Sequence, residues 1–257
     1  MTKIIAIANQ KGGVGKTTTT VNLSAAVAEQ GKRVLLVDID PQGNATSGSG
    51  VDRESLSGTM HDVIVGDTGI NDIAVKSVQK NMFVAPSNIQ LAGAEISLVS
   101  MVAREYLLKS KLDSAKIYYD FIFIDCPPSL GLLTLNALSA ADTVLAPIQC
   151  EYYALEGLTQ LMSTVRIVKQ RLNPGLDIEG VLLTMYDART NLSAQVAGEV
   201  RRFFKGKVYD TFVPRSVRLS EAPSHGLPIT LYDDRSVGAL AYRGLAAEFL
   251  KWNGVGE

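Results

Sequence analysis

Cysteine is scarce in this chain. Cys126 and Cys150 are the only two among 257 residues, 24 positions apart and outside any CxxC pair. That usage signals neither a zinc knuckle nor a secreted disulfide framework, and a reducing compartment is the default expectation. Histidine is equally rare: His61 and His225 have no partner at metal-ligand spacing, so neither is assigned a catalytic role. Charge of one sign is missing too, since 25 Lys and Arg stand against 26 Asp and Glu for a net charge of −1. Nucleic-acid binding must therefore come from a local patch and not from a global field. Residues 130–148 carry no Lys or Arg, yet Asn136, Asp142 and Pro147 interrupt them. An aspartate at a bilayer centre costs about 3 kcal/mol, so this run reads as a buried helix and strand. The opening Met1-Thr2-Lys3-Ile4-Ile5-Ala6-Ile7 lacks the longer apolar stretch and small-residue cleavage site of an export signal, and a cytoplasmic protein is expected. No repeat, low-complexity tract or proline-rich linker divides the chain, so residues 1–257 are expected to form a single domain.

What is present is the composition of a globule, 46% hydrophobic and 20% charged, which excludes disorder. Short apolar runs alternate with longer segments at helical spacing, the pattern of βαβ units feeding a parallel sheet. Strands are predicted at residues 4–9, 34–38, 82–86, 121–125, 143–148 and 178–185. Most are apolar on both faces, as strands covered on both sides should be. The predicted class is α/β, one doubly wound and mostly parallel sheet with helices on both faces. A helix over 17–30 ends at Gly31, a good C-terminal cap. Another over 155–172 sets Leu158, Leu161, Met162, Val165, Val168 and Leu172 on one stripe, which is core packing. The last helix, 237–252, has only Arg243 and Lys251 as cations, too few for a membrane-surface helix.

The strongest chemical signal is Ile7-Ala8-Asn9-Gln10-Lys11-Gly12-Gly13-Val14-Gly15-Lys16-Thr17-Thr18, where a strand runs through a glycine-rich turn into a helix. Gly12, Gly13 and Gly15 have no Cβ, so backbone N–H groups are free to curl around an oxyanion. The helix N-terminus adds unpaired donors and partial positive charge. Lys16 reaches β- and γ-phosphates in such a loop, and the Thr17 hydroxyl ligates Mg²⁺. The strict P-loop pattern asks for glycine at the position of Gln10, and what stands out instead is a second lysine, Lys11. Val37-Asp38-Ile39-Asp40-Pro41-Gln42-Gly43-Asn44 closes the second strand, and Ile122-Phe123-Ile124-Asp125-Cys126-Pro127-Pro128 closes the fourth. Both sets of carboxylates then lie at the carboxyl edge of the sheet, where the phosphate loop opens. Asp125, after its apolar run, has the position of a Walker B acid that holds Mg²⁺ through water, and Asp38 supports the metal shell. The other reading of strand-end aspartates is that they cap the next helix.

Lys-Gly-Gly-Val-Gly-Lys-Thr-Thr resembles the deviant Walker A box of the ParA/MinD superfamily of P-loop ATPases. The likeness continues through Asp38-Ile39-Asp40-Pro41-Gln42-Gly43-Asn44-Ala45-Thr46, Gln90-Leu91-Ala92-Gly93-Ala94-Glu95, Cys126-Pro127-Pro128-Ser129-Leu130-Gly131, Gln149-Cys150-Glu151-Tyr152-Tyr153-Ala154-Leu155-Glu156-Gly157-Leu158 and Arg218-Leu219-Ser220-Glu221-Ala222-Pro223-Ser224-His225-Gly226. These strings resemble the chromosome-partitioning ParA type, the Soj type, over nearly the whole chain. The resemblance implies one ATPase domain that binds ATP, ADP and Mg²⁺, with Lys11, Gly12, Gly13, Val14, Gly15, Lys16, Thr17 and Thr18 on the phosphates. It implies catalytic roles for Lys11, Lys16 and Asp40, with Lys11 reaching across a homodimer interface to the other subunit's phosphates, as an arginine finger does elsewhere. Asp40 resembles the switch residue that orients the attacking water, and Thr17, Asp40 and Asp125 form the metal set. Pro214, Arg215 and Ser216 line the adenine and ribose side, Ser216 standing where relatives often have Asn.

The implied cycle is an ATP-driven sandwich dimer that binds double-stranded DNA without sequence preference. A ParB-type partner stimulates its hydrolysis and release, and the outcome is DNA segregation on the bacterial nucleoid. No long helix-turn-helix extension precedes the first strand, so operator binding is not implied. DNA binding also has support in charge alone. Between Arg189 and Arg218 stand Arg189, Arg201, Arg202, Lys205, Lys207, Arg215 and Arg218 against Glu199 and Asp210, a local balance of +5. Such charge neutralises phosphates and releases counterions, giving salt-sensitive affinity. The other reading of Arg201, Arg202, Lys205 and Lys207 is a solvated helix face. A MinD-like membrane-associated positioning ATPase is the alternative function; it needs a basic amphipathic C-terminal helix, and the tail offers one lysine. An iron–sulfur carrier needs closely paired cysteines, and a DNA scaffold with a vestigial nucleotide site should have lost one of Lys11, Lys16, Thr17, Asp40 or Asp125.

Overall fold

In the computed structural model, residues 1–152 and 154–255 are described. Tyr153, the side chains of Ala154, Leu155 and Glu156, and Gly256 and Glu257 of the tail lie outside the described residues. The strands are β1 (Lys3–Ile7), β2 (Val34–Asp38), β3 (Val75–Lys76), β4 (Met82–Ala85), β5 (Phe121–Asp125), β6 (Thr143–Gln149) and β7 (Asp177–Thr184). They form one sheet in the order β3-β4-β2-β5-β1-β6-β7. Every neighbouring pair is parallel except β3 with β4.

All six expected strands are present and the sheet is doubly wound as anticipated. The edge strand β3 escaped the sequence reading because two residues carry no period. β1 stops at Ile7, short of the expected residue 9; the Ala8 N–H still donates to the Leu145 carbonyl at 3.2 Å, and the Asn9 side chain then donates to the Pro147 carbonyl at 2.8 Å.

Alternation along each strand sorts side chains onto two cores. Ile4, Ala6, Leu35, Val37, Ile122, Ile124, Val144 and Ala146 face one cluster. It is covered by the helices Leu91–Val99, Leu132–Ala140, Ala154–Arg171 and Asn191–Phe203, with Leu158, Leu161, Val165 and Val168 of the predicted stripe among its residues. Ile5, Ile7, Val34, Leu36, Phe121 and Phe123 face the other, against the helices Lys16–Glu29 and Val237–Trp252. There Phe249 of the last helix meets the rings of Phe121 and Phe123 at centroid distances of 5.1 and 5.4 Å.

One irregularity breaks the alternation. Between β6 and β7 the register shifts after Val144, pairing Val144 with Ile178 but Leu145 with Gly180. Glu179 is the extra residue of this bulge, so Ile178, Val181 and Leu183 share a face. Its carboxylate is buried but paired: Lys3 Nζ lies 2.6 Å away, the Thr143 hydroxyl donates at 2.6 Å and Asn253 Nδ2 donates at 2.7 Å. The cluster sits at the amino edge of the sheet. At the opposite edge, β1 emerges between β5 and β6, where the winding changes direction, the place at which open α/β sheets bind ligands.

Candidate functional site

The glycine loop begins on a fixed footing. The Asn9 side chain bridges it to β6, donating to Pro147 and accepting from the Lys11 N–H at 3.0 Å. Gly13 and Gly15 have φ of +73° and +88°, a region that side chains with a Cβ rarely enter. Gly15 is the N-cap of the helix Lys16–Glu29 and brings no side-chain cap, and no acid stands in the first turn. The leading N–H groups of this helix therefore keep their capacity for an outside acceptor. A Cβ built at Gly12 or Gly13, both exposed, would meet nothing within 4 Å, so this face of the loop is open. Lys16 is buried and its ammonium donates to the Lys11 carbonyl at 3.1 Å, across the loop. Burial pushes the Lys16 amine down, and the Asp125 carboxylate opposes that shift.

Strand register brings the acids to the same place. Asp125 pairs with Ile7 across β5 and β1, and with Asp38 across β5 and β2. Thr17 donates to Asp125 Oδ2 at 2.8 Å and Thr20 to Oδ1 at 2.7 Å. Asp38 accepts from the Thr46 N–H at 2.8 Å, from the Thr46 hydroxyl at 2.7 Å and from the Asp40 N–H at 3.1 Å. Asp40 is nearly buried and accepts from the Gln42 N–H at 3.0 Å. Desolvation pushes Asp38 up to about 6; the same effect, with the Asp38 charge added, pushes Asp125 up to about 7. Three acids and one lysine converging with two hydroxyls is a donor set suited to a hard divalent cation and a phosphate chain. Burial also pushes the Cys126 thiol up, in keeping with its reading as a small buried side chain.

Beside the loop lies a cavity of about 320 Å³ lined by Gly15, Thr18, Thr184, Val213, Pro214, Arg215, Ser216 and Tyr242. The Pro214-Arg215-Ser216 segment and the start of the first helix are thus two walls of one space. Met185, at its rim, has φ +50°, a strained backbone for a residue with a side chain.

Residues 2–178 match the model of a family described as an AAA domain. The chain is 62% identical to the sporulation initiation inhibitor protein Soj of Bacillus subtilis over 96% of its length and 98% of that protein's. It is 53% identical to the chromosome partitioning protein ParA of Myxococcus xanthus, over 97% and 88% of the two chains. The chain belongs to the ParA/MinD family of P-loop ATPases. Among solved structures, the septum site-determining protein MinD from Pyrococcus horikoshii, complexed with Mg-ADP, superposes with a TM-score of 0.82 at 32% identity over 99% and 98% of the chains. A cobyrinic acid a,c-diamide synthase from Mycobacterium smegmatis with bound ADP and magnesium gives 0.87 at 41% identity, over 100% and 97%.

Lys11, the first lysine of the family's box, is engaged within its own chain. Lys11 Nζ lies 3.5 Å from Glu151 Oε2, and Arg215 lies 3.8 Å from Glu151 Oε1. The cations between Arg189 and Arg218 are divided in space. Arg189, Arg215 and Arg218 stand at the carboxyl edge. Arg189 is 89% exposed and paired with Asp187 at 2.7 Å, and Arg218 is paired with Glu221 at 3.0 Å and Asp233 at 3.4 Å. The helix Asn191–Phe203 carries Arg201 and Arg202 in its last turn, towards the other edge. There Lys207 donates to the Ile178 carbonyl at 2.9 Å and lies 3.6 Å from Asp177. Arg201, Arg202 and Lys205 are exposed and have no ion-pair partner among the described residues.

Thr20, Thr46, Thr184, Tyr242 and Glu151 belong to the site and were not singled out from sequence. Thr46 and Glu151 lie inside strings that carried the family likeness, a signal that was there to use. Tyr242 stands 223 positions from Thr19, to whose hydroxyl it is hydrogen-bonded at 3.2 Å, and only the fold brings them together.

Proposed function

We propose that the protein binds Mg²⁺ and ATP in the glycine loop, dimerises on ATP, binds double-stranded DNA without sequence preference and hydrolyses ATP to ADP and phosphate. A ParB-type partner stimulates that hydrolysis, and the cycle segregates chromosome or plasmid DNA on the bacterial nucleoid. One observation carries the reading: Lys16, Thr17, Asp38, Asp40 and Asp125 converge beneath an open glycine cradle whose helix end has no internal cap. Gly12, Gly13, Val14, Gly15 and Thr18 would present their N–H groups to the phosphates, with Lys16 as counter-charge. Thr17, Asp40 and Asp125 would hold the metal, and Asp38 would keep Asp40 in place through the hydrogen bond to its N–H. Bound Mg²⁺ would neutralise charge developing on the transferred phosphoryl group. Asp40 orients the attacking water, and Lys11 adds charge to the phosphates of the partner subunit. Pro214, Arg215 and Ser216 take the nucleoside side.

The names of the curated relatives support a partitioning role over amide synthesis, since the Soj and ParA proteins share more of this sequence than the diamide synthase does. A MinD-like membrane role fits less well. The last helix Val237–Trp252 buries Leu245, Ala246 and Phe249 in the core, so that face is not offered to lipid. Arg189 and Arg218 rank first among the DNA contacts because they share the nucleotide edge; Arg201, Arg202, Lys205 and Lys207 follow. Sedimentation with ADP, with ATP, and with ATP plus duplex DNA tests the scheme. A monomer is expected with ADP, a dimer with ATP and a DNA-bound dimer in the last case. A monomer under all three conditions would refute it.

A further inference from the structure

The charges of Lys11, Glu151 and Arg215 form a chain that the function above leaves unexplained. Lys11 lies in the glycine loop, Glu151 just beyond the carboxyl end of β6, and Arg215 on the wall of the neighbouring cavity. The carboxylate sits between the two cations, one oxygen towards each. Among the described residues no other acid is within ion-pair distance of either. Its position is built. The Cys150 N–H donates to the Thr184 carbonyl at 3.1 Å and the Glu151 N–H to the Gln149 carbonyl at 2.8 Å. The Gln149 amide donates to Glu151 Oε1. On the other side, Gly157 neighbours Lys11: a Cβ built there would be in ordinary contact with Lys11 Cβ at 3.8 Å.

We propose that Glu151 is an internal stand-in for phosphate. In the nucleotide-free chain it ties Lys11 to Arg215 across the mouth of the site, and incoming nucleotide must displace it. Lys11 is then released for a second triphosphate only after its own site has been loaded. The Glu151 carboxylate and the phosphate oxygens of a nucleotide entering the same mouth repel each other, so a loaded site drives Glu151 away from Lys11 and Arg215. The device rests on the reading of Lys11 and Arg215 given above. Both ion pairs are long, and Lys11, Glu151 and Arg215 keep 34%, 45% and 67% side-chain exposure, so each pair is weak and a nucleotide can replace it.

The test is a fluorescence titration with a labelled ADP, with Mg²⁺ present, on the wild-type chain, Glu151→Gln, Lys11→Ala and the double variant. Glu151→Gln keeps the size and the partner of Gln149 and removes the charge. It should bind ADP about three- to tenfold tighter than wild type at low salt, with the difference closing at high salt, where exposed pairs are screened. In the Lys11→Ala background the same change should gain less, since one of the two cations it releases is gone. A Glu151→Gln chain that binds as wild type does, or more weakly, overturns the proposal while leaving the nucleotide site intact. Equal gains with and without Lys11 overturn the link to Lys11. A wild-type chain that binds no ADP defeats the nucleotide reading itself, and this proposal with it.

Discussion

Asp38 and Asp125 face each other across adjacent strands in full burial, and that arrangement opposes ionisation of both. Their carboxyls are pushed from the usual 3.8 up to about 6 and about 7. A folded-state pKa above the unfolded value means that protonation favours the fold. The stabilisation is complete below about pH 4 and is lost as pH rises through about 6 to 7. Metal-free protein should therefore melt at a lower temperature at about pH 8 than at about pH 5.5, and Asp38→Asn should flatten that slope. Thermal unfolding followed by circular dichroism with a chelator present checks this, and a wild-type melting temperature independent of pH would contradict it. At this scale the sequence was legible where a motif spans neighbours. Lys16, Thr17 and Asp125, which the fold brings together, could be read from sequence because a strand, a turn and a helix in succession leave a readable pattern. The pairing of Glu151 with Lys11 and Arg215, the place of Tyr242 and the division of the cations could not, because each depends on contacts between segments distant along the chain.

Strands betray themselves by period, and β7 shows where period fails. Glu179 sits in an apolar run, which on strict alternation would be a charged residue inside the core; the bulge turns it towards Lys3, Thr143 and Asn253. Next to it, Gly180 admits the stacked pair of Tyr209 and Trp252, whose ring centroids are 4.3 Å apart. A Cβ at Gly180 would come within 2.6 Å of Tyr209 and 3.0 Å of Trp252. Gly180→Ala should destabilise the protein by about 1–3 kcal/mol through overpacking. Gly198, inside the helix Asn191–Phe203, has nothing within 4 Å of a built Cβ, and Gly198→Ala should stabilise by about 0.5–1 kcal/mol. Denaturant unfolding of the two variants decides both, and effects of the same sign would mean that one of the two environments is misjudged. The helices were easier to read: the last one, Val237–Trp252, matches the sequence expectation end to end, because Ser236 caps it by accepting from the Ala239 N–H and Asn253 ends it.

Over the whole molecule, the sheet separates two chemistries by its two edges. The glycine loop and the acids Asp38, Asp40 and Asp125 lie at the carboxyl edge with Arg189, Arg215 and Arg218, while Lys207 stands with Asp177 at the other. If DNA is held at the nucleotide edge, Arg189→Ala and Arg218→Ala should each weaken binding alike for unrelated duplexes and lower the salt slope by about one ion. Lys207→Ala should change both quantities less. Mobility shifts across a salt titration measure this, and a larger loss from Lys207→Ala would move the DNA to the opposite edge. The contact joining Lys3, Glu179 and Asn253 has a mechanical side. It holds the first strand and the tip of the last helix at one corner of the molecule, remote from the glycine loop. Without the Lys3 charge the buried Glu179 carboxylate would lose its cation, so this corner would loosen while the glycine loop kept its geometry.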